Sequence, residues 1–422
     1  MHHEFLASPT FPGGLPGLGH VPRMAFHQVQ SRGNTAGACR YLFSGGGPET
    51  GRMRVFGRWL VATEHPGYMR SVLLQDALPK TRLEHRVLGP GMEGGLILLE
   101  GSAWSERRKL MTPYFGAAAL DRLIPIAAEA ARRRVARWKG VVQAGFEMKA
   151  ISLDLLAGFL LRCPLDRLDH VTMLFNRIEE NLEWRALPPI RWVQDRAHAL
   201  GLPVPLFRWL GFLGEYQARA GWAAGSPADE MTRAIGPEAV ARELRSTFAA
   251  GATTAHLLTW LLGLLAERPE LQERLVAEAR DTLGGRPLAE VRVADLRPLA
   301  WLEAVVMEGL RLYPPAPFML RELNQREDAI LCCVWGMQRR ADRWPRPEEF
   351  LPERWLTDQG SFRHELQGAA FLPFGHGPRV CIGKQFSLVE ARIVLLTVLE
   401  QWRLVPLGPL PPARTEVLTR PQ

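Results

Sequence analysis

The stretch Phe371–Arg392, FLPFGHGPRVCIGKQFSLVEAR, leaves its backbone few options. Gly375, Gly377, Gly383 and Pro378 surround Cys381, and an amphipathic helix-forming run starts at once. Glycine admits positive φ angles and close approach of the main chain. Backbone amides aimed at the sulfur, with the positive end of the helix that follows, stabilise a thiolate there. Such a thiolate can be a nucleophile, a zinc ligand or an axial ligand of heme iron. A nucleophile wants a histidine base, a role open to His376. Zinc wants three or four ligands, and no cluster supplies them. The plain alternative is a buried structural cysteine, the usual fate of a lone one.

A chain of 422 residues can bury a large core, as one big domain or two to three ordinary ones. Its 47% hydrophobic and 23% charged content is that of a soluble globular protein. No uninterrupted apolar run reaches the roughly 18 residues that span a bilayer. The start, MHHEFLASPTFPGGLPGLGH, lacks a basic stretch followed by an apolar one, so no secretory signal is expected. Five scattered cysteines, Cys39, Cys163, Cys332, Cys333 and Cys381, show no CxxC spacing. They point to a reducing, cytoplasmic setting, with Cys332 and Cys333 inert. The net charge of +8 is carried by arginine, because lysine occurs only at 80, 109, 139, 149 and 384. The arginines are dispersed and no nucleic-acid motif accompanies them, so a local basic surface for an acidic protein partner is the better reading.

Helical periodicity dominates: residues 116–138, 235–267, 268–283, 297–312 and 384–402 carry apolar positions at helical spacing. Strand signals are short, MRVFGRWLVAT at 53–63 and EVLT at 416–419. The fold class is mainly α with a minor β-sheet. No repeat or low-complexity linker marks a domain cut, so one domain is expected over 1–422, β-rich to about residue 65 and helical from about 66 to 402.

Phe374-Gly375-His376-Gly377-Pro378-Arg379-Val380-Cys381-Ile382-Gly383 matches the heme-binding loop FGxGxRxCxG in full. The chain thereby resembles the cytochrome P450 superfamily. The resemblance implies a heme b held between distal and proximal helices, with Cys381 as the thiolate ligand of the iron. It also implies Arg379 against a heme propionate and Phe374 beside the sulfur. His376 would reach a propionate or face solvent. Other pieces fall in the family's order and carry the resemblance over nearly the whole chain. Glu308 and Arg311 of MEGLRLYPP resemble the ExxR motif, and Arg354 of FLPERW the third member of its buried ion triad. Trp104 and Arg108 resemble the WxxxR pair that meets a propionate. Arg321 resembles a further propionate arginine, and FPGGLPGLGH the proline-rich hinge.

Registering TTAHLLTW against the family pattern AGx[DE]TT places Thr253, with Thr254 beside it, at the oxygen-activating position. Ala249, Ala250 and Gly251 would leave space above the iron. Ala252 stands where the family has an acid, which weakens the usual proton relay. The PAGT-like turn is missing, and Gln338 stands where the family commonly has histidine. The stretch 163–232, where substrate-covering helices should lie, is also short.

The resemblance implies a monooxygenase that inserts one oxygen atom of O2 into an apolar substrate. Phe248, Ala249, Ala252, Ala316 and Phe318 would line its pocket. The electrons would come from a ferredoxin or flavodoxin with its NAD(P)H-dependent reductase, docked near Arg107, Lys109 and Lys384. Neither nucleic acid nor an integral membrane segment is expected. A peroxygenase or rearrangement enzyme, and a heme-binding protein without turnover, remain as alternatives.

Overall fold

The computed structural model describes residues 49–421 apart from 56–57, 76–77, 186–187, 209, 212–220, 325, 327, 369 and 416–418. Cys39 and the proline-rich hinge lie outside these residues. The chain forms two compact units of interleaved segments. Among the described residues, one comprises 49–84, Met307–Cys381 and 411–421; the other comprises His85–Val306 and Ile382–Leu410.

The first unit holds the sheet. Strands β1 (Thr50–Val55) and β2 (Arg58–Thr63) pair antiparallel, where the sequence reads as a single strand over 53–63. Then comes helix α1 (Pro66–Leu74). Its cap is His65, whose Nδ1 accepts from the Tyr68 amide at 3.1 Å. In the second unit follow α2 (Arg82–Met92, which begins just inside the first), α3 (Gly101–Met111), α4 (Ala117–Val135) and α5 (Ala144–Leu160). Next are α6 (Leu168–Arg185), α7 (Pro188–Ala199), α8 (Pro227–Ile235), α9 (Pro237–Ala266) and α10 (Pro269–Leu283). The boundary between units falls within α11 (Ala300–Leu312). Strands β3 (Phe318–Glu322) and β4 (Ala329–Cys333) and the short α12 (Val334–Met337) return to the first unit. Helix α13 (Lys384–Gln401) belongs to the second, and β5 (Ala413–Thr415) pairs with β6 (Thr419–Pro421) in the first. Of the predicted EVLT strand only Thr419, the first residue of β6, is described.

The sheet order is β1-β2-β4-β3, with β2 and β4 parallel and β4 and β3 antiparallel. One face packs a core of Val61, Met69, Val72, Ile330, Cys332 and Leu372 among others. Cys332 is therefore a core residue, and burial pushes its thiol up to about 12. A thiol this hard to ionise is inert.

In the second unit, local signals set the helix ends. Pro237 and Pro269 occupy first-turn positions, where the absent N–H costs no bond. Gly284, with φ +63, closes α10 in the left-handed region. The Ser226 hydroxyl accepts from Asp229 N at 3.2 Å to cap α8. α13 is apolar nearly all round, the pattern of a helix enclosed on every side. α9 is long and apolar enough to cross a bilayer, but 61% of its most apolar stretch is buried inside the protein, as in a core helix. A Cβ on Gly251 of α9 would stand 2.5 Å from Leu156 Cδ1 of α5. Gly251 thus seats a neighbouring helix, where the sequence reading had it open space over a cofactor.

The one carboxyl enclosed within α13 is Glu390, 1% exposed, whose Oε1 lies 2.5 Å from Ser152 Oγ of α5. Burial pushes Glu390 up to about 7, and the single hydroxyl bond offsets this only in part. The folded state holds this proton more tightly than the unfolded state does. The associated stability is therefore complete below about pH 4.5 and lost as pH rises through 7. Glu390→Gln is expected to flatten that loss. Urea unfolding at pH 8 should show the variant more stable than the wild type by up to about 3 kcal/mol, with little difference at pH 5.

Candidate active site

Phe374–Cys381 is a closed loop within the first unit. Cys381 N donates to Phe374 O at 2.9 Å, Val380 N to Gly377 O at 3.1 Å and Gly375 N to Leu372 O at 3.1 Å. Gly375 and Gly377 have φ of +76 and +72. A Cβ on Gly377 would lie 2.4 Å from the Leu73 carbonyl oxygen, so only glycine lets α1 and the loop meet. Gly383 differs: its φ is −84, ordinary for any residue, and it sits as the cap of α13.

Cys381 is exposed, whereas Cys332 and Cys333 are buried. Phe374, His376 and Arg379 are half-buried around it in sequence. Burial and the charge of Arg70 hold the His376 imidazole below its usual range. Among the described residues, no group of three His, Cys, Asp or Glu side chains is placed to hold a bare metal ion. A single presented thiol on a rigid loop fits an iron that brings its other ligands with it, as a porphyrin does.

Also in the first unit, Glu308, Arg311 and Arg354 are brought together. The Glu308 carboxylate, 0% exposed, accepts five hydrogen bonds. Arg311 supplies two at 2.8 Å, Arg354 Nε one at 3.0 Å, the Leu351 amide one at 3.0 Å and Trp355 Nε1 one at 2.9 Å. Arg311 spends its remaining donors on the carbonyls of Gln338, Pro347 and Glu349 at 2.7 to 3.0 Å, so all five N–H groups are used. Trp344 covers the guanidinium 5.4 Å from its ring centre. Sequence reasoning missed Trp355, though its place directly after the PER triplet was a visible signal. It also left Gln338 without a role.

The other predicted residues are placed as follows. In the first unit, Arg321 on β3 is buried and donates from Nη1 to Leu320 O at 2.7 Å. Phe318 begins the same strand and Ala316 precedes it, both half-buried. In the second unit, Trp104 and Arg108 lie on α3, Trp104 buried and Arg108 half-buried. On α9, Ala249, Ala252 and Thr253 are half-buried, and the Thr253 hydroxyl donates to Ala250 O at 2.8 Å. Thr254 is buried, with its hydroxyl 3.0 Å from that of Ser387 on α13.

Phe248 is 5% exposed and stacks on Phe175 of α6 at 6.4 Å. One assignment is corrected. Arg107 is no free docking cation: Nη1 pairs with buried Glu243 at 2.8 Å and reaches Gly94 O at 3.3 Å. A further feature had no sequence signal. Lys149 and His256 both pair with Glu179 across α5, α9 and α6, His256 Nε2 at 3.0 Å. Burial works against the charge on Glu179, but His256 and Lys149 outweigh it and hold the carboxyl well below its usual range.

An exposed thiol on a glycine-shaped loop, backed by a buried ExxR–Arg network in a largely helical chain, defines a heme-thiolate protein. The cytochrome P450 family profile matches residues 233–422. Cytochrome P450 4F3 of Rattus norvegicus is 28% identical over 421 residues, covering 84% of this chain and 77% of that one. An ultra-long-chain fatty acid omega-hydroxylase of Homo sapiens is 25% identical over 402 residues, covering 82% and 74%. Among solved structures, a 6-coordinated cytochrome P450 from Thermus thermophilus shares the fold. Its TM-score is 0.66 at 24% identity, covering 86% of this chain and 90% of that one. The chain belongs to the cytochrome P450 superfamily. It is a heme-thiolate monooxygenase with iron protoporphyrin IX as cofactor, using O2, an apolar substrate and an electron-donating partner.

Removing the Glu308 carboxylate leaves Arg311 buried without its counter-charge. Glu308→Ala is expected to cost about 3–5 kcal/mol, read by urea unfolding, and to lower the heme bound per chain on purification. Wild-type stability with full heme loading would refute the network's role.

Proposed function

We propose that Cys381 is the iron ligand and that this enzyme hydroxylates an apolar, chain-like substrate. The observation that carries the first part is the closed loop that presents a lone thiol beside Gly375 and Gly377, both at positive φ. The kinship to an ultra-long-chain fatty acid omega-hydroxylase supports the second. So do the small or apolar side chains at Ala249, Ala252, Ala316 and Phe318.

Heme supplies activation of O2, and its thiolate ligand promotes O–O cleavage. The protein's part is to position and to move protons. Trp104, Arg108, Arg321, His376 and Arg379 are the groups proposed for the propionates, Phe374 packs against the sulfur, and Gly383 ends the loop. Thr253 Oγ1 holds the proton delivered during turnover, with Thr254 fixed behind it by Ser387. Ala252 carries no titratable group, so that proton originates in solvent.

Electrons are proposed to come from a ferredoxin or flavodoxin with its NAD(P)H-dependent reductase, with the exposed Lys109 and with Lys384 meeting the acidic carrier. Four cysteines without a disulfide among the described residues support a reducing, cytoplasmic setting. The two compact units are proposed to act as one heme domain. The missing acid at 252 favours a second reading, a peroxygenase that takes peroxide directly.

Reduction under CO should give the red-shifted Soret band of thiolate ligation, and Cys381→Ser should abolish it; a band that survives the substitution sinks the assignment. Thr253→Ala is expected to raise oxygen consumed per product formed about tenfold or more, within the range that positioned proton transfer contributes. Unchanged coupling with a surrogate electron donor removes Thr253 from the reaction, and full turnover with peroxide alone in the wild type selects the second reading.

A further inference from the structure

We propose that Gln338 is a positioning residue for the Cys381 loop, tying the last turn of α11 to the backbone that carries the thiolate. Its side chain is 0% exposed and lies wholly within the first unit. Nε2 donates to the carbonyls of Leu310 and Arg311, each at 3.0 Å. These are carbonyls of the final helical turn, which has no partners of its own inside the helix. On the other side of the amide, Oε1 accepts from Leu372 N at 3.0 Å. Two carbonyls and one N–H fix the orientation of the amide.

Leu372 is where the strut meets the thiolate loop. Its side chain is buried in the sheet core, and its carbonyl accepts from Gly375 N at 3.1 Å. Two residues further on, Phe374 O accepts from Cys381 N at 2.9 Å. The Gln338 carbonyl also takes a 2.9 Å bond from Arg311, itself paired with Glu308. One amide thereby couples the buried ion network to the loop, a link of bonds from α11 through Leu372 to Cys381.

Glutamine suits this place better than the histidine common in the family. A neutral imidazole offers one donor and one acceptor, so it can serve Leu372 N and one carbonyl and leaves the other unpaired. Methionine, of similar shape, serves none and leaves a buried N–H without a partner.

The inference rests on Cys381 as the iron ligand, and its test separates the two. Heme-loaded wild type, Gln338→Met and Gln338→His are compared under conditions where far-UV dichroism shows each fully folded. Amide exchange at Leu372 is expected to speed up about tenfold or more in Gln338→Met. A share of that variant should also lose the red-shifted band under CO, with Gln338→His intermediate in both readouts. Wild-type exchange in Gln338→Met overturns the proposal. Faster exchange with an unaltered band also overturns it, since the strut would then be structural only. If Gln338→Met binds no heme, Gln338→His decides on the same two readouts. A band that survives Cys381→Ser sinks the ligand assignment alone, because Leu372 exchange still reports on the strut.

Discussion

A single carboxylate organises the unit that carries the thiol. Glu308 lies fully buried, and burying an unpaired carboxylate costs several kcal/mol. It is held by five donors from α11, the Leu351 backbone, Arg354 and Trp355, all of which must be in place together. Arg311 then spends its own spare donors on the carbonyls of 338, 347 and 349. An irregular stretch of chain with few backbone partners is thus given fixed geometry by charge. Gln338 and Leu372 pass that geometry on to the loop.

The second unit solves a different problem, namely packing long helices closely. Gly251 admits Leu156, and Gly158 admits Ile126, whose Cγ2 would stand 2.9 Å from an added Cβ. The buried charges there are compensated locally: Arg107 with Glu243, Lys149 and His256 with Glu179, and Arg392 with Glu303 at 2.8 Å. Glu390 is the exception, compensated by a hydroxyl alone, and this is why it holds its proton more tightly than a free carboxyl. Arginine richness in this sequence therefore reflects internal pairing as well as surface charge.

Much of this was legible beforehand. Periodicity located α4, α9, α10, α11 and α13 to within a few residues, because each has a wide apolar face or a proline at its start. Glu308, Arg311 and Arg354 were found through motif order, since an ExxR spacing alone would fit any solvated helix face. Trp355 and Gln338 were not read as partners, because hydrogen bonds between residues tens of positions apart leave no periodic trace. The role of Gly251 was misread for a related reason: a small residue looks the same whether it borders a cavity or a neighbouring helix. Arg107 failed likewise, as nothing in sequence reveals that Glu243 is waiting for it.

The unit bearing Cys381 is stitched from distant segments: Trp59 N donates to Asp328, 269 positions along the chain, and β2 pairs in parallel with β4. During synthesis the early hairpin must wait, one edge unpaired, while the whole helical unit's first stretch is made. Such non-local pairing is slow to form and leaves strand edges open to aggregation in the interval. Since the loop is anchored to that same sheet core through Leu372, it gains its fixed geometry only once the residues from β1 to Cys381 have all been made. The order of assembly is then strand pairing across the long gap first and a fixed thiolate loop afterwards.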